Sequence, residues 1–248
     1  MAAPPRPAAA CNLDDALLRR AAHDIRASLR ALRELPGWVS EDLAEAGVAA
    51  PGQVALSLEL IQSHARRLEN MLDGALAYLR LAAEPGATAE LAGALGRVLD
   101  GTLLPAGTRL RPRIAAGLCV PMSGAQAEML FRILVTNSLR HHPGPPSIRI
   151  LARRRNGQAE ILVGDDGPGI PQAQRDAACA PLGKLRSRDE DEGAGLGLAI
   201  LGRLAEIHGG QLSLETPGSG RGLLVRITLP CTSSASAHRA AADLQQRI

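Results

Sequence analysis

V-G-D-D-G-P-G-I-P, residues 163–171, follows the alternating segment A-E-I-L, and its reading decides what the second half of the chain can be. Alternation predicts a strand that ends at Asp165, after which Gly167 and Gly169 let the backbone turn closely around a ligand. A second run, E-G-A-G-L-G-L-A-I at 192–200, sets Gly193, Gly195 and Gly197 ahead of an apolar helix, with Leu198 in its first turn. The first amides of such a helix can receive phosphate oxygens. Upstream, A-Q-A-E-M-L-F-R-I-L-V-T-N-S-L-R-H-H at 125–142 has a helical apolar pattern. Asn137 lies near its end and Arg140 one turn later, so one face offers an amide oxygen for a hard cation and a guanidinium for phosphate. The familiar phosphate motifs do not apply. G-x-G-x-x-G fails at Leu198 and Ile200, and a P-loop around Gly183-Lys184 fails at Ala178 and Leu185.

Around these stretches lie S-I-R-I-L-A-R at 147–153 and the pair Q-L-S-L-E-T and G-L-L-V-R-I-T-L-P, which predicts a hairpin across P-G-S-G at 217–220. Helices and strands mix without a regular βαβ order. The expectation is an α+β chain whose second half is an α/β sandwich, one mixed sheet with helices on one face.

The first third has a different texture. Leu18, Ala22, Ile25, Leu29, Leu32, Pro36, Val39 and Leu43 recur in steps of four and three, and Val54, Leu58, Ile61, Ala65, Leu68, Leu72, Ala75, Leu79 and Ala82 repeat the pattern after the breaker G-V-A-A-P-G. Pro36 should kink the first helix, because it has no N–H to give and its ring crowds the carbonyl one turn back. Two such seams predict a hairpin that dimerises into a four-helix bundle. His23, followed directly by Asp24, sits beside the seam, where packing gives it no role. E-P-G-A-T at 84–88 reads as a linker. The domains are therefore drawn as a disordered 1–12, the hairpin at 13–83, the linker, a second domain at 89–230 and a tail at 231–248.

Bulk properties narrow the function classes. With 46% hydrophobic and 21% charged residues the chain can bury a core, and a net charge of +3 with three aromatic residues gives no footprint for nucleic acid. Cys11, Cys119, Cys179 and Cys231 are widely spaced and suit no zinc site. No apolar run reaches the length of a membrane span and the N-terminus has no secretory pattern, so no membrane insertion and a cytoplasmic location are expected.

The ordered set, H-D at 23–24 on a heptad helix, Asn137, D-x-G-x-G at 165–169 and G-x-G-x-G at 193–197, resembles the two-component sensor histidine kinases. L-P-G-W-V-S-E-D-L and K-L-R-S-R-D-E-D-E-G-A-G-L-G-L-A-I resemble the phytochrome-related branch in particular. The resemblance implies a dimeric phosphoacceptor hairpin followed by an ATP-binding domain of the histidine kinase/gyrase type. It implies His23 as phosphoacceptor with Asp24 orienting or deprotonating it, Asn137 as Mg²⁺ ligand and Arg140 on phosphate. Asp165 would accept the adenine amino group, and Gly167, Gly169, Lys184, Gly193, Gly195, Gly197 and Leu198 would frame base and lid. A response regulator receiver domain would take the phosphoryl group, and the sensory module would be separate or belong to a longer protein. The sequence departs from the family at Ser28, where a proline is usual, at Ile133, where an asparagine is usual, and in a lid at 171–192 without phenylalanine. Ile133 and the altered lid would suit a histidine phosphotransferase or pseudokinase relay scaffold without ATP use, whereas another ATPase of the same superfamily would leave the hairpin and the H-D pair unexplained. Relatives that strip phosphate from the regulator resemble one another in a Thr or Asn four residues after the histidine; here that position is Ala27.

Overall fold

The computed structural model describes residues 8–49, 51–181 and 195–231, so Lys184, Gly193 and most of the C-terminal tail lie outside the described residues. The chain forms two compact units, one built on the first helix and most of the second, the other comprising the described residues from Ala77 onward.

In the first unit, α1 (Ala8–Glu45) begins inside the segment assigned to the N-terminal tail, in an alanine run of high helix propensity. It continues through Pro36, whose missing N–H leaves the Leu32 carbonyl without its helical donor. Gly47, at φ +67°, and the turn around it end the helix before α2 (Gly52–Arg80). Arg26 Nη2 bonds Asp73 Oδ1 at 2.7 Å and Arg33 Nη1 meets Glu69 Oε2 at 3.3 Å, which fixes the antiparallel register. Such exposed pairs contribute under about 1 kcal/mol each, so the cohesion comes from the buried Ala22, Leu29, Pro36, Ala65 and Leu76. Leu76 was not in the expected seam. The seam residues Ile25, Leu32, Val39, Val54, Ile61, Leu68 and Leu79 are instead 39–62% exposed.

In the second unit the end of α2 is followed by β1 (Ala89–Glu90), which pairs with β3 (Cys119–Val120). Between them run α3 (Leu91–Asp100), capped by the Glu90 carboxylate on the Gly93 amide at 2.7 Å, and β2 (Arg109–Ile114). Then come α4 (Gly124–Arg140), β4 (Ser147–Arg155), β5 (Gln158–Gly164), α5 (Arg175–Cys179), α6 (Gly197–Ile207), β6 (Gln211–Glu215) and β7 (Leu224–Pro230). The five-stranded sheet has the order β2-β4-β5-β7-β6, with β2 and β4 parallel and the other pairs antiparallel. This is the expected mixed sheet and hairpin.

Alternation along the strands sorts the sheet into two faces. Ile148, Ile150, Ala152, Ile161, Val163, Val225, Ile227 and Leu229 are buried with Leu95 and Val98 of α3, Phe131 and Leu134 of α4, and Leu201 and Leu204 of α6. Each large apolar side chain so buried contributes about 1.5–3 kcal/mol. The N-terminus of α4 is closed by a reciprocal cap between Ser123 and Gln126. Gln126 is itself buried: its Nε2 donates to the Ala82 carbonyl at 2.8 Å, and its Oε1 lies 3.0 Å from Nε2 of the buried His208. Burial holds the His208 pKa below its ordinary value, against the opposing influence of the Pro121 backbone and the Glu84 charge.

The other face is polar. Its centre is Glu160, buried among Arg153 (Nε to Oε2, 2.8 Å), Arg155 (3.3 Å) and Arg226, which also clasps Glu215 at 2.6 Å. Burial alone would raise the Glu160 pKa, but the Arg153 hydrogen bond and the three guanidinium charges bring it below the ordinary 4.5. The Arg226 hydrogen bond does the same for Glu215. Both folded pKa values lie below those of the unfolded chain, so this stabilisation is complete above the ordinary carboxylate range and is lost as pH falls through the folded values. Glu160→Gln is expected to lower stability by about 1–3 kcal/mol at neutral pH. Urea unfolding followed by circular dichroism should show the gap to wild type shrinking below the ordinary Glu pKa of 4.5.

Candidate functional site

At the end of β5 the chain makes a knot around one carboxylate. Asp165 Oδ1 accepts the Gly167 amide at 3.0 Å and the Leu223 amide at 3.2 Å, while Oδ2 accepts the hydroxyl of buried Ser138 at 3.1 Å. The Asp165 amide in turn donates to the Leu223 carbonyl at 3.0 Å. Three segments, α4, the loop after β5 and the loop before β7, are thereby held by one side chain. Oδ1 is saturated by two backbone donors, whereas Oδ2 has accepted one hydrogen bond and keeps a lone pair for another donor.

The glycines of the loop are required by contact as well as by conformation. Gly169 has φ +72°, and a β-carbon there would lie 2.4 Å from the Gly222 carbonyl oxygen. Gly222 has φ +96°, and its β-carbon would lie 1.9 Å from the Asp165 carbonyl oxygen. Next to Asp165, Asp166 Oδ1 accepts the Ser147 amide at 2.8 Å and faces His142 Nε2 at 3.3 Å. The Ser147 hydrogen bond holds the Asp166 carboxyl below its ordinary pKa against partial desolvation, with His142 and Arg221 acting in the same direction.

Asn137, half-buried on α4, stands beside the N-terminus of α6. A β-carbon on Gly197 would lie 3.4 Å from Asn137 Oδ1 and 3.1 Å from Ile133 Cγ2. Gly195 just ahead has φ +65°, and Leu198 leans partly buried on the core. Arg140 is exposed in the last turn of α4, with no carboxylate partner among the described residues. The structure thus gathers Asp165, Gly167 and Gly169 in one knot and sets Asn137 against Gly197. Ser138 and Gly222 were missed from sequence. The first gave no sign beyond adjacency to Asn137; the second belongs to the glycine-rich G-S-G-R-G run at 218–222.

His23 and Asp24 lie in the other unit, on α1. His23 Nδ1 is 3.2 Å from Asp24 Oδ1, and both side chains are largely exposed, at 82% and 69%. In the tautomer that carries its proton on Nδ1, toward this carboxylate, Nε2 keeps a lone pair open to solvent. Ser28 Oγ donates to the Asp24 carbonyl at 3.2 Å, and Ala27 is exposed.

Residues 124–233 match the family described as histidine kinase-, DNA gyrase B-, and HSP90-like ATPases. The chain is 29% identical over 218 residues to the sensor protein CutS of Streptomyces coelicolor, covering 85% of this chain and 51% of CutS. It is 32% identical over 133 residues to the sensor-type histidine kinase PrrB of Mycobacterium leprae, covering 53% of this chain and 27% of PrrB. It therefore spans about half the length, or less, of these relatives. Among solved structures, full-length ShkA in complex with AMPPNP superposes with a TM-score of 0.63 at 17% identity, over 88% of this chain and 46% of ShkA. The mycobacterial sensor histidine kinase MprB superposes at 0.51 and 20% identity, over 59% and 97%.

The knot yields a graded expectation. Gly220 shares a positive φ of 74° but would meet nothing within 4 Å, so Gly220→Ala should cost only the conformational term, about 1–2 kcal/mol. Gly222→Ala should cost clearly more and should weaken binding of a fluorescent ATP analogue. Equal losses of stability for the two variants in thermal unfolding would show that the contact with Asp165 is immaterial.

Proposed function

We propose, for a chain that belongs with the two-component sensor histidine kinases, that it transfers the γ-phosphoryl group of ATP to His23 and passes it to an aspartate of a response regulator. The observation that carries this is the Asp165 knot: an anchored carboxylate with one free acceptor position, suited to the amino group of adenine. ATP bound there would supply the phosphoryl group, and Mg²⁺ would offset its charge.

Asp165 holds the base through Oδ2 while Ser138, Gly167 and Leu223 keep the carboxylate from turning away. Asn137 offers its amide oxygen to Mg²⁺, whose preference for few protein ligands, with phosphate and water completing its shell, fits a site with one such donor. Among the described residues no group of three or more His, Cys, Asp or Glu could hold a metal by itself. The α6 amides and Arg140 take phosphate charge. Lys184 and Gly193 would belong to the lid on the grounds of sequence alone. At the acceptor, Asp24 keeps the Nδ1 proton in place and Nε2 acts as the nucleophile.

The exposed seam of the hairpin supports a homodimer: seven apolar side chains at heptad spacing, each 39–62% exposed, would be covered by the same seam of a second copy. The response regulator would dock on the resulting bundle beside His23. Among the described residues no helix is long and apolar enough to cross a membrane. A relay scaffold without ATP use is less well supported, because the knot, Asn137 and Gly197 are all in place.

With radiolabelled ATP and Mg²⁺ the chain should acquire an acid-labile label that His23→Gln abolishes. Asp165→Asn should remove both label and nucleotide binding while leaving the hairpin dimer intact. A label surviving in His23→Gln would overturn the assignment of the acceptor. A further expectation concerns the reverse reaction. Ala27 has no polar atom to position a water, and the neighbouring Ser28 hydroxyl is engaged by the Asp24 carbonyl. Dephosphorylation of the regulator should therefore be slow, and Ala27→Thr should speed it by about tenfold or more. The decay of phosphorylated regulator with each protein measures this.

A further inference from the structure

The polar face of the five-stranded sheet is asymmetric in charge. Strand alternation and register place Arg109, Arg111 and Arg113 of β2, Arg149, Arg153 and Arg155 of β4, and Arg226 of β7 on it, opposite the helices. The only acidic strand residues beside them are Glu160 and Glu215. Seven arginines against two glutamates give this face +5, whereas the whole chain carries +3, so positive charge is concentrated here. Arg153, Arg155 and Arg226 are taken by the two glutamates. Arg109, Arg111, Arg113 and Arg149 are exposed and have no carboxylate partner among the described residues. Arg111 and Arg149 are direct register neighbours, a like-charge pairing that costs stability in the free sheet.

The geometry selects the kind of partner. Arg109 and Arg113 donate their amide N–H inward, as the Arg109 amide to the Pro146 carbonyl at 2.9 Å shows, so the outward amide positions of β2 belong to Leu110, Pro112 and Ile114. Pro112 has no N–H, which interrupts the edge and disfavours a further strand pairing alongside. A partner therefore meets the face, not the edge. Along β2 the three arginines recur every second residue, about 6.4–6.8 Å, the repeat of alternate side chains in an extended polypeptide. None of the chain's three aromatic residues stands in a strand of this sheet, so the face offers no base-stacking platform for nucleic acid. Leu151, Leu162 and Leu224 lie partly exposed among the charges and add apolar contact area.

We infer that the β2–β4 side of the open sheet face is a docking surface for an extended acidic segment of a partner polypeptide, whose alternate carboxylates pair with Arg109, Arg111, Arg113 and Arg149. The partner relieves the Arg111–Arg149 repulsion when it binds, and Glu160 and Glu215 restrict the contact to the β2 side by occupying the remaining arginines.

The test uses the full chain and a fluorescein-labelled alternating Glu-Thr peptide of about twelve residues, followed by fluorescence anisotropy. Binding should saturate, weaken with added salt, and fall about tenfold in Arg111→Gln/Arg149→Gln. The variant should bind an ATP analogue as wild type does, which shows that the unit is folded. The charge-matched control Arg20→Gln/Arg30→Gln should bind the peptide as wild type does. Equal weakening in the control would reduce the effect to general charge and overturn the proposal. So would sedimentation with phosphatidylserine-containing vesicles that requires Arg111 and Arg149 while the peptide fails to bind, because the face would then be a lipid surface.

Discussion

The Asp165 carboxylate is the point on which the loops around the end of β5 depend. A strand that simply ended there would leave α4, the loop after β5 and the loop before β7 free to move independently. By accepting a hydroxyl from one and amides from the other two, the side chain makes a single object of three segments far apart in sequence. Hydrogen bonds to an ionised acceptor are stronger than neutral ones, and three on one carboxylate fix its plane. What remains unsatisfied on Oδ2 is consequently a directed acceptor, held by the fold in advance of any ligand.

The two faces of the sheet divide the remaining work. One face is continuous with the helices, and its apolar residues supply most of the cohesion. The other carries buried Glu160, a group that would be destabilising if unpaired and is tolerated because three guanidiniums surround it. The unit is thus stabilised by area on one side and by charge matching on the other. That second contribution is incomplete, because four arginines at the β2 side are left over.

Much of this was legible in the sequence because it follows from period and glycine placement. The alternation in I-L-A-R and I-L-V-G located β4 and β5, P-G-S-G located the β6–β7 turn, and D-x-G-x-G located the knot. α3 was not foreseen: Gly93 and Gly96 dilute its helical signal, and the helix is defined by burial of Leu91, Leu95 and Val98 against elements far along the chain. β2 was also missed, since three arginines and a proline do not read as a strand, and only an edge position with one open face accommodates them. Leu76 replaced Leu79 in the buried stripe because the heptad reading follows a period of 3.5, while burial in one hairpin follows the real helical period near 3.6. Ser138 was invisible because its role depends on Asp165, a residue 27 positions away that only the fold brings near.

The contact between Gly169, Gly222 and the Asp165 backbone has a consequence for how such a chain can change. Each of the two glycines occupies space that any side chain would take from the backbone facing it, and the hydrogen bonds of Asp165 hold that backbone at the adjoining Gly167 and Leu223. At Gly169 the backbone that would have to move is Gly222, and at Gly222 it is Asp165, whose amide and carboxylate are both tied to Leu223. The loop therefore lies at a dead end of stepwise mutation, and divergence among descendants of this sequence is channelled into the surfaces around the knot, where side chains have room to vary.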